Sequence, residues 1–298
     1  MLSICIPVYN YSVQNLVQSL LLQCEDFSTE EVEIILIDDA SQGYFVESNR
    51  KIESDFVRWV VLKQNVGRAV IRNLFLQFAK GEYFLFLDCD SEIVSETFIK
   101  DYLQHISQKD VAILCGGRIY PEICPSPKQT LRWKYGVKKE SKTSIERKQN
   151  PNKSFMTNNF LIKSRVLQEI PFNEELKLYG HEDTWFGYQL QSNGIEIEHF
   201  ENPIMNGEIE TNDVFLQKTE FAIQSLVFLI KTNGRIKEFE RNIQLTRIYS
   251  KLEKYYLLAY ITFFFNLTRD LIRPLILRSN SLILLDFYKL GVFCNKMK

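Results

Sequence analysis

The sequence predicts an α/β fold built on a mostly parallel sheet with helices on both faces. Three observations carry that expectation. Strand and helix patterns alternate up to about residue 116, and the run at 32–37 is apolar almost throughout. Polar or acidic clusters also fall just past the ends of several strands. Alternation of this kind requires right-handed crossovers, and an uninterrupted apolar strand is one covered on both faces.

Taken in order, Leu2–Val8 is the first strand and stops at Pro7-Val8-Tyr9-Asn10. Val13, Leu16, Val17, Leu20 and Leu21 recur at helical spacing and form one apolar stripe. The second strand, 32–37, runs into Asp38-Asp39-Ala40-Ser41, where an Asx-type turn between Asp39 and Ser41 is one expectation. A third strand covers 57–62. A helix over 69–79 follows, with Val70, Leu74 and Phe78 inward. Tyr83–Leu87 is the fourth strand and ends at Asp88-Cys89-Asp90. A helix over 96–106 and a strand over 111–115 complete the alternating part.

Beyond residue 116 the period loosens. A strand at 156–162 and helices at 182–191 and 212–230 are expected, followed from about 236 by helices rich in aromatic and basic residues. The implied organisation is a catalytic domain at 1–235, with halves at 1–117 and 118–235, and a helical C-terminal extension at 236–298.

Composition narrows the function classes. Of 298 residues, 45% are hydrophobic and 24% charged, which excludes a disordered or low-complexity chain. Thirty-six basic residues against 37 acidic ones give a net charge of -1, with no global pull toward nucleic acid. Segments 118–153 and 241–298 each hold ten basic and three acidic residues, so an acidic body carries two basic segments. The six cysteines form no Cys-x-x-Cys, which fits buried thiols in a reducing compartment. Met1 leads straight into a strand without a basic, then apolar, leader, and 255–265 is too short to span a bilayer. A cytoplasmic location follows as the expectation.

The Asp88-Cys89-Asp90 cluster carries the first chemistry. Alternate positions of an extended segment project to one side, and two carboxylates at a strand end suit a hard divalent cation that bridges phosphates. Capping of the next helix is the plainer reading of such a pair.

With these residues in view, the sequence resembles the family-2 glycosyltransferases of GT-A fold. Ile6-Pro7-Val8-Tyr9-Asn10 resembles the family's first strand and turn, and Asp38-Asp39-Ala40-Ser41 its second acidic turn. Asn65-Val66-Gly67-Arg68-Ala69 through Arg72-Asn73 is similar to the following Asn-x-Gly…Ala-Arg-Asn segment. Asp88-Cys89-Asp90 stands at the family's Asp-x-Asp, and Gly180-His181-Glu182-Asp183 resembles its later Glu-Asp element. The resemblance spans residues 2 to about 207 and leaves 241–298 without family support.

The resemblance implies a nucleotide-sugar donor, probed by Pro7, Asp39, Gly67, Arg72 and Asp88, with Asp39 on a uracil base. It implies Mg²⁺ or Mn²⁺ at Asp90, and Asp183 as the general base of an inverting displacement. Surface placement of Arg72 and N-terminal capping by Asp183 are the structural alternatives. Asn206, in Asn202-Pro203-Ile204-Met205-Asn206, stands where relatives often carry a metal-binding His; its amide oxygen is a weaker ligand for a transition metal. His199 nearby reads as structural.

The acceptor is expected to be a glycan or a lipid-linked sugar. Leu131-Arg132-Trp133-Lys134-Tyr135-Gly136 reads either as a stacking platform for it or as a packed loop, and Asn158-Asn159-Phe160 as lining of the same cleft. For the tail two readings stand: peripheral contact with the inner face of an anionic membrane through 241–298, or packing on the body or in a homodimer. The competing functions are a nucleotidyltransferase, which would need a Gly-rich basic loop after the first strand, and a catalytically silent nucleotide-sugar binding module.

Overall fold

A computed structural model describes residues 1–298. The strands are β1 (Leu2–Val8), β2 (Val32–Asp38), β3 (Val57–Val61), β4 (Tyr83–Leu87), β5 (Ser91–Ile93), β6 (Ile113–Cys115), β7 (Arg118–Ile119), β8 (Asn159–Lys163), β9 (Ile197–His199) and β10 (Ile204–Asn206). The helices are α1 (Gln14–Cys24), α2 (Gly43–Asn49), α3 (Arg68–Phe78), α4 (Phe98–Gln108), α5 (Thr130–Tyr135), α6 (Ser144–Lys148), α7 (Ser164–Glu169), α8 (Glu182–Ser192), α9 (Asn212–Thr232), α10 (Lys237–Asn242), α11 (Gln244–Lys254), α12 (Leu258–Ser279) and α13 (Leu282–Met297).

Seven strands form one sheet in the order β3-β2-β1-β4-β8-β6-β9. All neighbours are parallel except β8, which runs antiparallel to both β4 and β6. A second, three-stranded sheet has the order β5-β10-β7. The period-2 alternation of β1 divides two cores. Ile4 and Ile6 join Leu16, Leu20, Phe98 and Tyr102 on one face, while Cys5 joins Phe75, Phe86, Phe160 and Phe186 on the other. The sequence expectation of a mostly parallel sheet covered on both faces holds.

Two local differences have physical causes. α3 buries Ala69, Ile71, Arg72 and Phe75, whereas Val70, Leu74 and Phe78 are only partly covered. The helix is turned from the expected stripe so that Arg72 enters the interior. The short strands β5, β7, β9 and β10 went unpredicted, being too short to show a period.

The chain divides into two compact units. One comprises Met1–Pro121, Glu140–Glu175 and Glu182–Glu208; the other comprises Glu122–Lys139, Leu176–His181 and Ile209–Lys298. All strands lie in the first unit. In the second, α9 goes with the C-terminal helices: Tyr288 Oη donates to Glu220 Oε1 at 2.6 Å, and Lys231 Nζ to the Lys296 carbonyl at 3.0 Å. The second unit thus takes α9 together with the C-terminal helices.

Candidate active site

In the first unit, the C-terminal ends of β1, β2 and β4 bring the acidic clusters together, where open α/β sheets take their ligands. The β1–β2 register sets Val8 beside Asp38, so both chains leave the sheet at one level. Asn10 (φ 49°) and Ala40 (φ 60°) turn through the left-handed region, and two hydrogen bonds tie the exits: Asn10 N–H to Ser41 Oγ at 2.8 Å and Gln42 N–H to Asn10 Oδ1 at 2.8 Å. Pro7 lies past the last β4-paired residue of β1, so its missing N–H breaks no bond on that side.

The two aspartates of the β2 exit do different jobs. Asp38, not Asp39, makes the turn with Ser41, whose N–H reaches its Oδ1 at 2.7 Å. Asp39 instead accepts the N–H groups of Val66 at 2.7 Å and Gly67 at 3.0 Å. Burial raises its pKa and those two donors oppose the shift. Asp39 therefore holds the loop that starts α3. Gly67 has φ 86° there, a conformation that side chains rarely adopt, and no atom lies within 4 Å of where its Cβ would be.

Arg72 is 1% exposed and pairs with Asp88 at 2.9 Å, with its guanidinium 5.7 Å from the Phe172 ring centre. The surface alternative for Arg72 is corrected: it is an interior cation that fixes Asp88. Asp88 N–H donates to the Asn158 carbonyl at 3.3 Å, which further sets the end of β4. Asp90 has its pKa raised, first by burial and then by Asp88, with Arg118 and Arg68 pulling the other way. Tyr11 is pushed up to about 12 by burial and by an acidic surround of Glu208, Asp90 and Glu92. A divalent cation would relieve this crowding of carboxylates, and the oxygen donors are of the kind it prefers. No three His, Cys, Asp or Glu side chains converge as a metal-binding set.

At the start of α8, Asp183 Oδ1 accepts the N–H of Thr184 at 2.6 Å and its hydroxyl at 3.1 Å. That contact reaches the next residue within α8, not the second or third N–H that an N-cap residue ahead of a helix would satisfy, so it is not the expected cap. The Asp183 pKa is pushed up to about 6, mainly by burial and then by Glu182, against hydrogen bonds from Thr184 and the charge of Arg72. Glu182 is 3.6 Å from the Arg68 guanidinium.

Asn206 pairs with Ser91 across β10–β5 and is buried. Its Oδ1 accepts a hydrogen bond from the Arg118 guanidinium, and its Nδ2 donates to the Glu208 carbonyl at 2.6 Å. Arg118 also meets Glu140 at 3.3 Å and lies 5.4 Å from the centre of the Tyr120 ring. Sequence reasoning missed Arg118. Its only signal is a basic residue straight after Gly116-Gly117, and its partner is far along the chain.

Other candidates separate from the site. His199 is 1% exposed, accepts from Arg147 Nε at 3.2 Å and contacts the Pro151 carbonyl; its pKa is lowered to about 4, chiefly by burial, so it is a neutral structural residue as expected. Asn159 lines no cleft: it is 1% exposed, accepts from Tyr102 Oη at 2.7 Å and donates to the Gly117 and Asn202 carbonyls at 2.9 Å each. In the second unit the 131–136 segment is packed. The Tyr135 ring lies 5.2 Å from that of Phe215, and the Arg132 guanidinium 5.2 Å from the same ring.

Comparisons with known proteins bear on this geometry. Glycosyltransferase GlyG of Streptococcus pneumoniae is 30% identical over 127 residues, covering 39% of this chain and 38% of that protein. The chain matches 40% or less of the length of the first curated relatives. Among solved structures, the mannosyltransferase PcManGT of Pyrobaculum calidifontis, in complex with GDP-Man and Mn²⁺, aligns with TM-score 0.62 at 13% identity over 99% of this chain and 85% of that one. TarS 1-349 of S. aureus, in complex with UDP-GlcNAc, aligns with TM-score 0.55 at 18% identity over 99% and 89%. At such identities these two establish the GT-A type of fold. The model of the family described as "Glycosyl transferase family 2" matches residues 3–170, more than half of the chain. The acidic strand ends of β2 and β4 lie inside that match, and the chain belongs to glycosyl transferase family 2.

Proposed function

We propose that this chain is an inverting, cation-assisted glycosyltransferase that moves a sugar from a UDP-linked donor to a glycan or lipid-linked acceptor. The observation that carries the reading is the constellation at the strand ends: the Asp88–Asp90 pair, with Asp88 fixed by buried Arg72, and a carboxylate of raised pKa at Asp183. The UDP preference draws on the UDP-GlcNAc complex of TarS, and the cation on the Mn²⁺ of PcManGT.

The acceptor hydroxyl oxygen attacks the anomeric carbon from the face opposite the diphosphate. The new C–O bond forms as the bond to the β-phosphate oxygen breaks, and UDP leaves with the bonding pair. Asp183 takes the hydroxyl proton. With its pKa about 6 it is ionised at neutral pH yet basic enough to matter. No enzyme nucleophile is needed, so the anomeric centre inverts once.

On the donor side, Asp39 accepts the imide hydrogen of uracil while holding Gly67, and the bare Gly67 backbone and Pro7 border the nucleotide. Asp90, with Asp88, would hold Mg²⁺ or Mn²⁺, which when bound neutralises charge developing on the leaving diphosphate. Asn206 would complete the set only where Arg118 yields its hold on the amide oxygen. Thermal shift with UDP tests the reading. Addition of Mn²⁺ should raise the UDP-induced stabilisation in the wild type. In Asp90→Ala that increment should vanish; an unchanged increment removes Asp90 from the cation site.

A further inference from the structure

The most exposed apolar surface of the second unit is on α12. Tyr260, Phe263, Phe264, Leu267, Leu271 and Leu275 recur at spacings of three and four, and each is 50–73% exposed. The opposite side of the same helix is closed: Phe265, Ile272 and Ile276 are 6% exposed or less, and the Phe265 ring meets Tyr288 of α13 at 5.6 Å. The helix is therefore already anchored to the protein and still presents a second apolar stripe. From residue 260 to 275 that stripe runs about 22 Å at the helical rise. Tyr255 and Tyr256, 65% and 88% exposed, continue it at the N-terminal end.

Charge decides between possible occupants. Segment 241–298 carries ten basic residues against three acidic ones in a chain of net charge -1. Arg247, Lys251 and Lys254 on α11 are exposed, as is Arg278 on the stripe side of α12, whereas Arg269 and Arg273 lie across the helix from the stripe and act on Tyr288. Of the acids, Glu253 is tied to Arg235 at 2.6 Å, leaving Asp270 and Asp286 exposed among the cations. Two copies meeting through this face would set the same positive segments against each other. A bilayer rich in anionic lipid complements both the stripe and its cations. Tyrosine at one end of the stripe also suits the headgroup level, where an aromatic body and a polar tip are both satisfied. No helix of this chain is long and apolar enough to cross a membrane, so a lipid contact of α12 would run along the surface.

We infer that the exposed face of α12, with Arg278 and the exposed cations of α11, docks on an anionic lipid surface. This contact is independent of donor binding, so it can fail while the proposed transferase activity stands, and the reverse.

Vesicle co-sedimentation of the full chain tests it. Vesicles of phosphatidylcholine with about 30% phosphatidylglycerol should retain the protein, and pure phosphatidylcholine should retain it about tenfold less. Raising NaCl from about 0.05 to about 0.5 M should release most of it. Phe263→Glu/Leu267→Glu should abolish sedimentation while leaving the UDP thermal shift unchanged, because both side chains are already exposed. Arg278→Glu should weaken binding to the anionic vesicles alone. Equal retention by both vesicle types, or none by either, overturns the inference. So does a wild-type dimer that Phe263→Glu/Leu267→Glu splits to monomers, since the stripe then belongs to a second copy.

Discussion

Two arginines end in the polar region of the first unit, and they are held in opposite ways. Arg72 is 1% exposed and spends its charge on Asp88. Arg118 meets the neutral amide of Asn206 and the partly exposed carboxylate of Glu140, 22% accessible. The first pairing cancels a charge inside the protein, and breaking it strands a cation that water cannot reach. The second leaves positive potential beside Asp90, which is visible in how Arg118 opposes the rise of the Asp90 pKa. One side of the site thus carries its charges as the buried Arg72–Asp88 pair. On the other, Arg118 sets a positive charge against the Asn206 amide.

If the chemistry belongs to the Arg72 side, the largest effect is expected at Asp183, whose carboxylate feels Arg72. Asp183→Asn keeps the shape and removes the base, so transfer should fall roughly 10²–10⁴-fold with the UDP thermal shift retained. In the wild type, activity should decline as pH drops through about 6, where the carboxylate gains its proton. Arg118→Ala should leave that acidic limb in place. A limb that moves with Arg118 rather than with Arg72 would reverse the assignment of the two sides.

The same aspartate gives a second, thermodynamic reading. Its folded pKa, about 6, lies above the ordinary carboxylate value of 3.8, so the folded state binds the proton more tightly. Stability from this group is present below pH 3.8 and is lost as pH rises through 6. Asp183→Asn should therefore match the wild type in acid and exceed it at neutral pH. Denaturant melts at pH 4 and pH 7.5 measure the difference; equal gains at both pH values would mean that the carboxylate is not strained.

Next in size is the asymmetry of the clamps themselves. Asp88→Ala leaves Arg72 buried without its counter-charge and should cost about 3–5 kcal/mol. Arg118→Ala leaves the buried Asn206 amide oxygen without its donor and a Glu140 carboxylate that water can reach, at a cost of about 1–2 kcal/mol. Urea midpoints of the two variants decide it, and equal losses would remove the distinction drawn between them.

How much of this was legible beforehand depends on the range of the contacts. β1, β2 and β4 follow from local apolar runs, and the acidic clusters from the residues directly after β2 and β4. Position thus drew attention to Asp38-Asp39 and Asp88-Cys89-Asp90, while the family resemblance singled out Asp39, Asp88 and Asp90 within them. Arg72 could not be placed: the apolar pattern of α3 pointed to Val70, Leu74 and Phe78, and only the Asp88 partner across the fold explains why an arginine is inside. The same holds for Asn206. Its position was legible, but its engagement by Arg118 depends on β7 and β10, of two and three residues, pairing in parallel. Strands so short carry no period, and Gly207 shows how tight that corner is, since a Cβ there would stand 2.6 Å from Glu92 Oε1.

The smallest expected effect probes that corner directly. Asn206→His alone should change the relative ability of Mn²⁺ and Mg²⁺ to enhance UDP binding only slightly, because the Arg118 guanidinium already sits on the group at this position and repels an incoming cation. Removing that charge as well, in Asn206→His/Arg118→Gln, should shift the ratio toward Mn²⁺, since an imidazole nitrogen favours the transition metal over Mg²⁺. The readout is the difference in UDP thermal shift between the two cations for wild type, single and double variants, with Arg118→Gln as the control for lost charge. A full shift in the single variant would mean that Arg118 leaves Asn206 freely and that the amide is a cation ligand in the wild type. No shift in either would place this position outside the cation's reach, leaving the aspartate pair, the diphosphate and water as its whole environment.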